Sequence, residues 1–149
     1  MKVFLKTEDE IELMRKANQL VSQTLTELAK RIKPGVTTLY LDKVAEEFIR
    51  DHGAIPTFKN FPNPYGDPFP ASICTSVNDI VVHGIPSEDT VLKDGDIISI
   101  DTGAVVDGWV GDNAWTFFVG TPTPEAKALC EVTRDCLKAA IEQAVPGNH

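Results

Sequence analysis

Two aspartates stand where aspartate is out of place. Asp101 lies in Ile-Ser-Ile-Asp-Thr and Asp112 in Gly-Asp-Asn-Ala-Trp, β-rich runs in which Asp is disfavoured. Between them, Asp107-Gly108 is the two-residue signal of a type I′ hairpin turn. With those residues as the loop, Asp112 faces Gly103, two positions along from Asp101. Residues i and i+2 share a face of a strand, and so do directly opposed residues. The two carboxylates therefore project from one face as diagonal neighbours, roughly 7–8 Å apart at the backbone, near enough to meet at one ion. No Lys or Arg occurs from Asp94 to Ala126. Asp94, Asp96 and Asp107 fall in turns, where Asp is common for backbone reasons. Asp101 and Asp112 do not, and they would repel unless one is protonated or a metal intervenes. The bland alternatives are a solvent-facing strand or partners from elsewhere in the chain. Hard carboxylates suit Mg, Ca or Mn, and added imidazole favours Fe, Co or Zn.

His83 is the second candidate. It stands in Val81-Val82-His83-Gly84-Ile85-Pro86, at the end of a short apolar run before a turn. A histidine there is either a satisfied structural residue or one that binds substrate or transfers a proton. His52 closes a helix, where it is a favourable C-terminal charge, and His149 is terminal. The three cysteines, Cys74, Cys130 and Cys136, form no CxxC pair, so a disulfide framework or zinc knuckle is not expected. They read as small side chains in or near a core. No serine-nucleophile elbow, P-loop or dinucleotide fingerprint occurs.

The elements that must position these residues follow from periodicity. Thr7 to Glu10 form a capping box, and Ile11, Met14, Ala17, Val21, Leu25 and Leu28 make an amphipathic stripe that Pro34-Gly35 stops. A second helix starts near Thr37 or Thr38, buries Leu41, Val44, Ala45, Phe48 and Ile49, and ends at Gly53. Residues 54–70 hold five of the ten prolines, interleaved with Phe58, Phe61, Tyr65 and Phe69. Three readings stand for this loop: rings packed on a sheet, the wall of a pocket, or a proline-rich ligand for another domain. Strands are expected at Ser72–Ser76, Ile80–His83, Ile97–Val106 and Trp109–Val119. A third helix, from about Glu125 to Ala144, would bury Ala128, Leu129, Val132, Cys136, Ala139 and Ala140. Two helices, several strands and a helix make an α+β chain.

Composition bounds the function. The chain has 149 residues, room for one domain with its own core. A net charge of -8 argues against binding a phosphate backbone. No apolar run approaches a membrane span, and MKVFLKTEDE lacks the apolar run of a signal peptide, so a cytoplasmic location is expected.

The run SICTSVNDIVVHGIPSEDTVLKDGDIISIDTGAVVDGWVGDNAWTF resembles the centre of a type I methionine aminopeptidase. TEDEIELMRKANQL and RIKPGVTTLYLD resemble that family's N-terminal segment, so the likeness covers essentially the whole chain. It implies a pita-bread fold, two pseudosymmetric halves sharing one curved antiparallel sheet, with residues 1–149 as the first half. It implies two divalent metal ions (Co, Mn, Fe or Zn) that activate water and polarise the scissile carbonyl. The activity implied is removal of the initiator methionine from nascent proteins, which brings the N-terminal Met of a peptide, and the neighbourhood of the ribosome, as partners. By motif, Asp101 matches a bidentate metal ligand and Asp112 a bridging one. His83 matches the active-site histidine. Phe69 and Cys74 fall where the family builds its methionine pocket, and the aromatic-rich loop that feeds the strand leading to His83 is expected to cluster Phe58 with them. Asn78 and Ile80 lie on a segment that can bind a monovalent cation.

The departures are as specific. The family's five ligands include a later His and two Glu, one of them the general base, and none has a counterpart here. The expectation is a fragment, a truncated gene, or half of a two-chain enzyme. Asn63-Pro64-Tyr65-Gly66-Asp67 lengthens the pocket loop. A catalytically inactive half-domain is the rival reading. Another pita-bread peptidase, such as a proline dipeptidase, fits the HGIP context less well. An exposed half-sheet would favour self-association.

Overall fold

The computed structural model describes residues 3–64 and 66–149. Helix α1 (Glu8–Ala29) opens on the expected capping box: the Thr7 hydroxyl accepts from the Glu10 N–H, and the Glu10 carboxylate accepts from the Thr7 N–H. It ends at Ala29, five residues before Pro34. Helix α2 (Thr38–Asp51) is capped by Thr37 and followed by Gly53 at φ 72°. Four strands follow: β1 (Ile55–Pro56), β2 (Ile73–Val77), β3 (Ile97–Val106) and β4 (Trp109–Phe118), before helix α3 (Pro124–Gln143).

β3 is the organising strand. It pairs antiparallel with β4 along its whole length, with β2 through residues 98–102, and with β1 at 104–105. The β3–β4 turn is the two-residue one expected, with Asp107 at φ 50° and Gly108 at φ 84°, both in the left-handed region a type I′ turn requires. Val106 faces Trp109 and Gly103 faces Asp112.

Alternation along the strands divides the sheet into two faces. Ile73, Ile98, Ile100 and Ala104 turn to one side, where Leu25, Leu28, Leu41, Ala45, Leu20, Val21 and Ile49 of α1 and α2 cover them. Cys74, Asp101, Gly103 and Asp112 belong to the other. Burying one face of an antiparallel sheet and keeping polar groups on the opposite one is the usual solution. Here the face that α1 and α2 leave free carries the candidate site.

Four expectations are corrected. Residues 80–83 form no strand. Asn78 turns the chain at φ 51° and clasps the start of β3: its N–H donates to the Ile97 carbonyl, and its Oδ1 accepts from the Ile97 N–H. After Ile80 the chain leaves the sheet, Val81 and Val82 stand in solvent, and Gly84 returns to β2. The expected loop over 54–70 contains the short strand β1. None of α3 is buried, so the apolar stripe of Leu129, Val132, Cys136 and Ala140 is exposed. Of the cysteines, Cys74 is buried, Cys130 intermediate and Cys136 exposed, so Cys136 is no core residue.

Candidate metal centre and pocket

β2, β3 and β4 bring the expected residues together. Cys74 pairs directly with Asp101 across β2–β3, and Asp112 lies on the same face diagonally across β3–β4. With His83, Phe58 and Phe69 they line one cavity of about 650 Å³. Its remaining wall is the 61–70 loop, with Phe61, Asp67 and four prolines, and Ile85. Of the three readings of that loop, the pocket wall is the one the structure shows. Tyr65 lies outside the described residues.

The loop is tied down at its base. Asn60 donates its N–H to the Phe69 carbonyl (2.8 Å), Phe69 to Phe61 (3.0 Å) and Phe61 to Phe58 (2.9 Å). Lys59 anchors it to α2 through Glu46 at 2.6 Å. Phe58 has space because β3 carries Gly103 beneath it: a Cβ there would lie 3.2 Å from the ring and 2.3 Å from Thr57 Oγ1.

His83 has its backbone at φ 58°, a strained conformation for a residue with a side chain. The next residue explains how it is held. The Gly84 N–H donates to Ser76 Oγ (3.2 Å) and its carbonyl accepts from the Thr75 N–H (2.8 Å). A Cβ on Gly84 would fall 2.2 Å from the Thr75 carbonyl oxygen, so only glycine fits. The clamp sets the imidazole in the cavity wall.

The electrostatics single out Asp101. Its Oδ1 is buried and accepts no hydrogen bond. Burial pushes its carboxyl above the usual range, and the negative charge of Asp112 adds to this; His83 and the Thr102 N–H act in the opposite sense. Burial, then Asp101, Asp112 and Asp42, push the Cys74 thiol up to about 11, so it is neutral at physiological pH. By contrast, Asp94 accepts from the Thr121 N–H and Asp96 from the Lys93 N–H, the backbone roles expected of turn aspartates. No Lys or Arg lines the cavity.

An orphaned, buried carboxylate oxygen beside a second carboxylate fits a hard divalent cation. The two supply only part of a coordination sphere. Among the described residues no group of three or more His, Cys, Asp and Glu is arranged to hold a metal ion. Asn78 stands apart from the cavity, and its carboxamide is engaged by Ile97 and Asp96. His52 is on the surface, with Nδ1 2.7 Å from the Phe48 carbonyl oxygen and its ring against Phe48. His149 is exposed at the chain end.

Sequence reading missed the groups that hold the site. Asp42 is buried on α2 and accepts the N–H groups of Ser72 (2.8 Å) and Ile73 (3.0 Å), which fixes the start of β2. Asn18, Ser76 and Gly84 act on Asp112 and His83 in the same way. Their partners are distant in sequence or lie in irregular backbone, and no periodicity marks them.

Comparison with known proteins identifies the family. The family model described as metallopeptidase family M24 matches residues 12–149. The chain is 50% identical to a methionine aminopeptidase of Clostridium acetobutylicum over 146 residues, 98% of this chain and 56% of that protein. It is 48% identical to methionine aminopeptidase 1 of Bacillus subtilis, over 97% of this chain and 56% of the relative. The chain thus spans about half the length of the curated relatives it matches. A methionine aminopeptidase structure from Rickettsia prowazekii superposes with a TM-score of 0.85 at 40% identity, covering 92% of this chain and 53% of that one. A prolidase of Pyrococcus horikoshii, at 23% identity and a TM-score of 0.80, shares the fold.

Proposed function

The chain belongs to metallopeptidase family M24, and from that membership we propose that it forms the metal-binding and pocket half of an aminopeptidase that removes N-terminal methionine. The observation that carries the reading is the unpartnered, buried Asp101 Oδ1 beside a cavity that Asp112 also lines and whose walls are aromatic. Asp101 and Asp112 are the protein oxygens that hold the divalent metal, with Co, Mn, Fe or Zn as candidates. When bound, such an ion supplies Lewis acidity to a peptide carbonyl.

The other residues bind and orient. Phe58, Phe69 and the neutral Cys74 thiol offer an apolar, polarisable wall to a thioether side chain. His83 presents a ring nitrogen that can donate to a peptide carbonyl, and its strained, clamped backbone keeps it there without further ordering. The acidic cavity attracts the free ammonium of a peptide N-terminus. Nascent chains near the ribosome are the substrate class that presents an initiator methionine. Self-association of the exposed half-sheet belongs to the same proposal.

A second reading has an observation behind it. The absence of a third metal-holding side chain among the described residues favours an inactive half-domain. The test separates the two. The 149-residue chain is titrated with Mn²⁺ and assayed for methionine release from Met-Ala-Ser. Turnover that disappears in Asp101→Ala supports the aminopeptidase. Mn²⁺ binding without turnover supports the half-domain. Mn²⁺ binding indifferent to both Asp101→Ala and Asp112→Ala overturns the metal assignment.

A further inference from the structure

Asp112 sits on a strand whose outer edge no other strand covers among the described residues, since β4 pairs with β3 alone. The Gly103 carbonyl accepts from the Thr57 N–H (3.1 Å), which turns Gly103's hydrogen-bonding groups away from β4. Gly103 and Asp112 are therefore a non-hydrogen-bonded pair, and the Asp112 N–H points to the open edge.

Asn18, in the middle of α1, closes that point. Its Oδ1 accepts the Asp112 N–H at 3.1 Å, and its Nδ2 donates to the Met14 carbonyl one helical turn back at 3.0 Å. The carboxamide is thus fixed from both ends. Gly111 lets the helix come this close: a Cβ there would lie 2.5 Å from the Ala17 carbonyl carbon and oxygen. One residue beyond Asp112, Asn113 Nδ2 donates to Ser22 Oγ at 3.2 Å, a second latch that does not touch Asp112.

We propose that Asn18 is a positioning residue for the metal centre, holding the backbone of Asp112 so that its carboxylate stays directed toward Asp101. The inference rests on reading Asp112 as a metal ligand. A cation held by two protein carboxylates has few donors to average over, so the freedom of either strand segment is felt directly in affinity. Partners outside the coordination sphere that orient ligands contribute to metal affinity by about this route.

The test uses the 149-residue chain, labelled with ¹⁵N and titrated with Mn²⁺, reading paramagnetic broadening around Asp101 and Asp112 and hydrogen exchange of the Asp112 amide. Asn18→Leu is expected to weaken Mn²⁺ binding roughly tenfold, the low end for such partners, and to speed exchange of the Asp112 amide. Asn18→Asp keeps the acceptor but loses the donor to Met14, and is expected to leave that amide better protected than Asn18→Leu does. Ser22→Ala removes the neighbouring latch and leaves Mn²⁺ affinity at the parent value. If Asn18→Leu does not fold, Asn18→Ser, too short to reach, decides by the same readouts. Parental Mn²⁺ affinity in the folded Asn18 variant overturns the inference, and so does equal weakening by Ser22→Ala, which would make general helix docking the cause. Asp101→Asn and Asp112→Asn are the references. If both leave the broadening unchanged, the metal reading falls and the inference falls with it.

Discussion

The carboxylate of Asp101 is placed at the expense of the fold. Its Oδ1 has no partner, and burial together with the charge of Asp112 disfavours its ionised form. Asp101→Asn is therefore expected to raise the stability of the metal-free chain at neutral pH, by up to about 1 kcal/mol, while abolishing Mn²⁺ binding. Thermal unfolding in chelator measures the first effect, and an unchanged or lower Tm would show that the site is not strained. Gly84 gives the opposite case. A methyl group 2.2 Å from the Thr75 carbonyl oxygen has no flexible neighbour to displace. Gly84→Ala is expected to cost about 2–4 kcal/mol in denaturant unfolding and to shift His83 out of the cavity wall. A cost under about 0.5 kcal/mol, the range of an ordinary surface substitution, would mean that the clamp yields easily.

At the level of elements, the loop that forms the pocket depends on α2. Glu46 binds Arg50 on its own helix at 2.9 Å and Lys59 on the loop at 2.6 Å. Burial acts to raise Glu46, but the bonds from Lys59 and Arg50 outweigh it and hold the carboxyl below its usual range. Its folded value is thus depressed relative to the unfolded chain, so the contribution to stability is present above the unfolded value, about pH 4.3, and is lost as pH falls through the folded one. Glu46→Gln should destabilise by up to about 1 kcal/mol at pH 7, with the difference from the parent fading in unfolding curves taken below about pH 4. A pH-independent difference would assign the effect to packing. The elements also show what local sequence could tell. The β3–β4 hairpin was legible because Asp107-Gly108 fixes turn type, turn type fixes register, and register fixes the shared face of Asp101 and Asp112. The capping box of α1 was legible for the same reason, a local rule with local partners. Ile80–His83 misled because its β-branched residues signal only that they would fit a pleated surface, and the Asn78 clasp carries the chain off the sheet before they can join it. Asn18 and Asp112 meet across 94 positions, beyond the reach of any local pattern.

On the scale of the whole molecule, the amphipathic stripe of α3 announced a helix that seeks a partner, and the structure shows that stripe exposed. Leu129, Val132, Leu137 and Ile141 are each more than half exposed, and so are Val110 and Trp115 on β4. An uncovered apolar helix and an unpaired strand edge are the two features that soluble proteins ordinarily hide. The chain is therefore expected to self-associate, opposed by its net charge of -8. The two terms respond differently to salt. Screening weakens the repulsion and leaves apolar burial in place, so association should strengthen between low salt and about 0.5 M, where the Debye length is below about 8 Å. Sedimentation velocity over a concentration series at both ionic strengths reads this directly. Leu129→Lys with Ile141→Lys should return the chain toward monomer while its helical circular dichroism is unchanged. A monomer at every concentration and salt would mean that neither surface drives contact. Association that weakens with salt would point to charge pairing as its source, with the stripe of α3 and the edge of β4 left out of it.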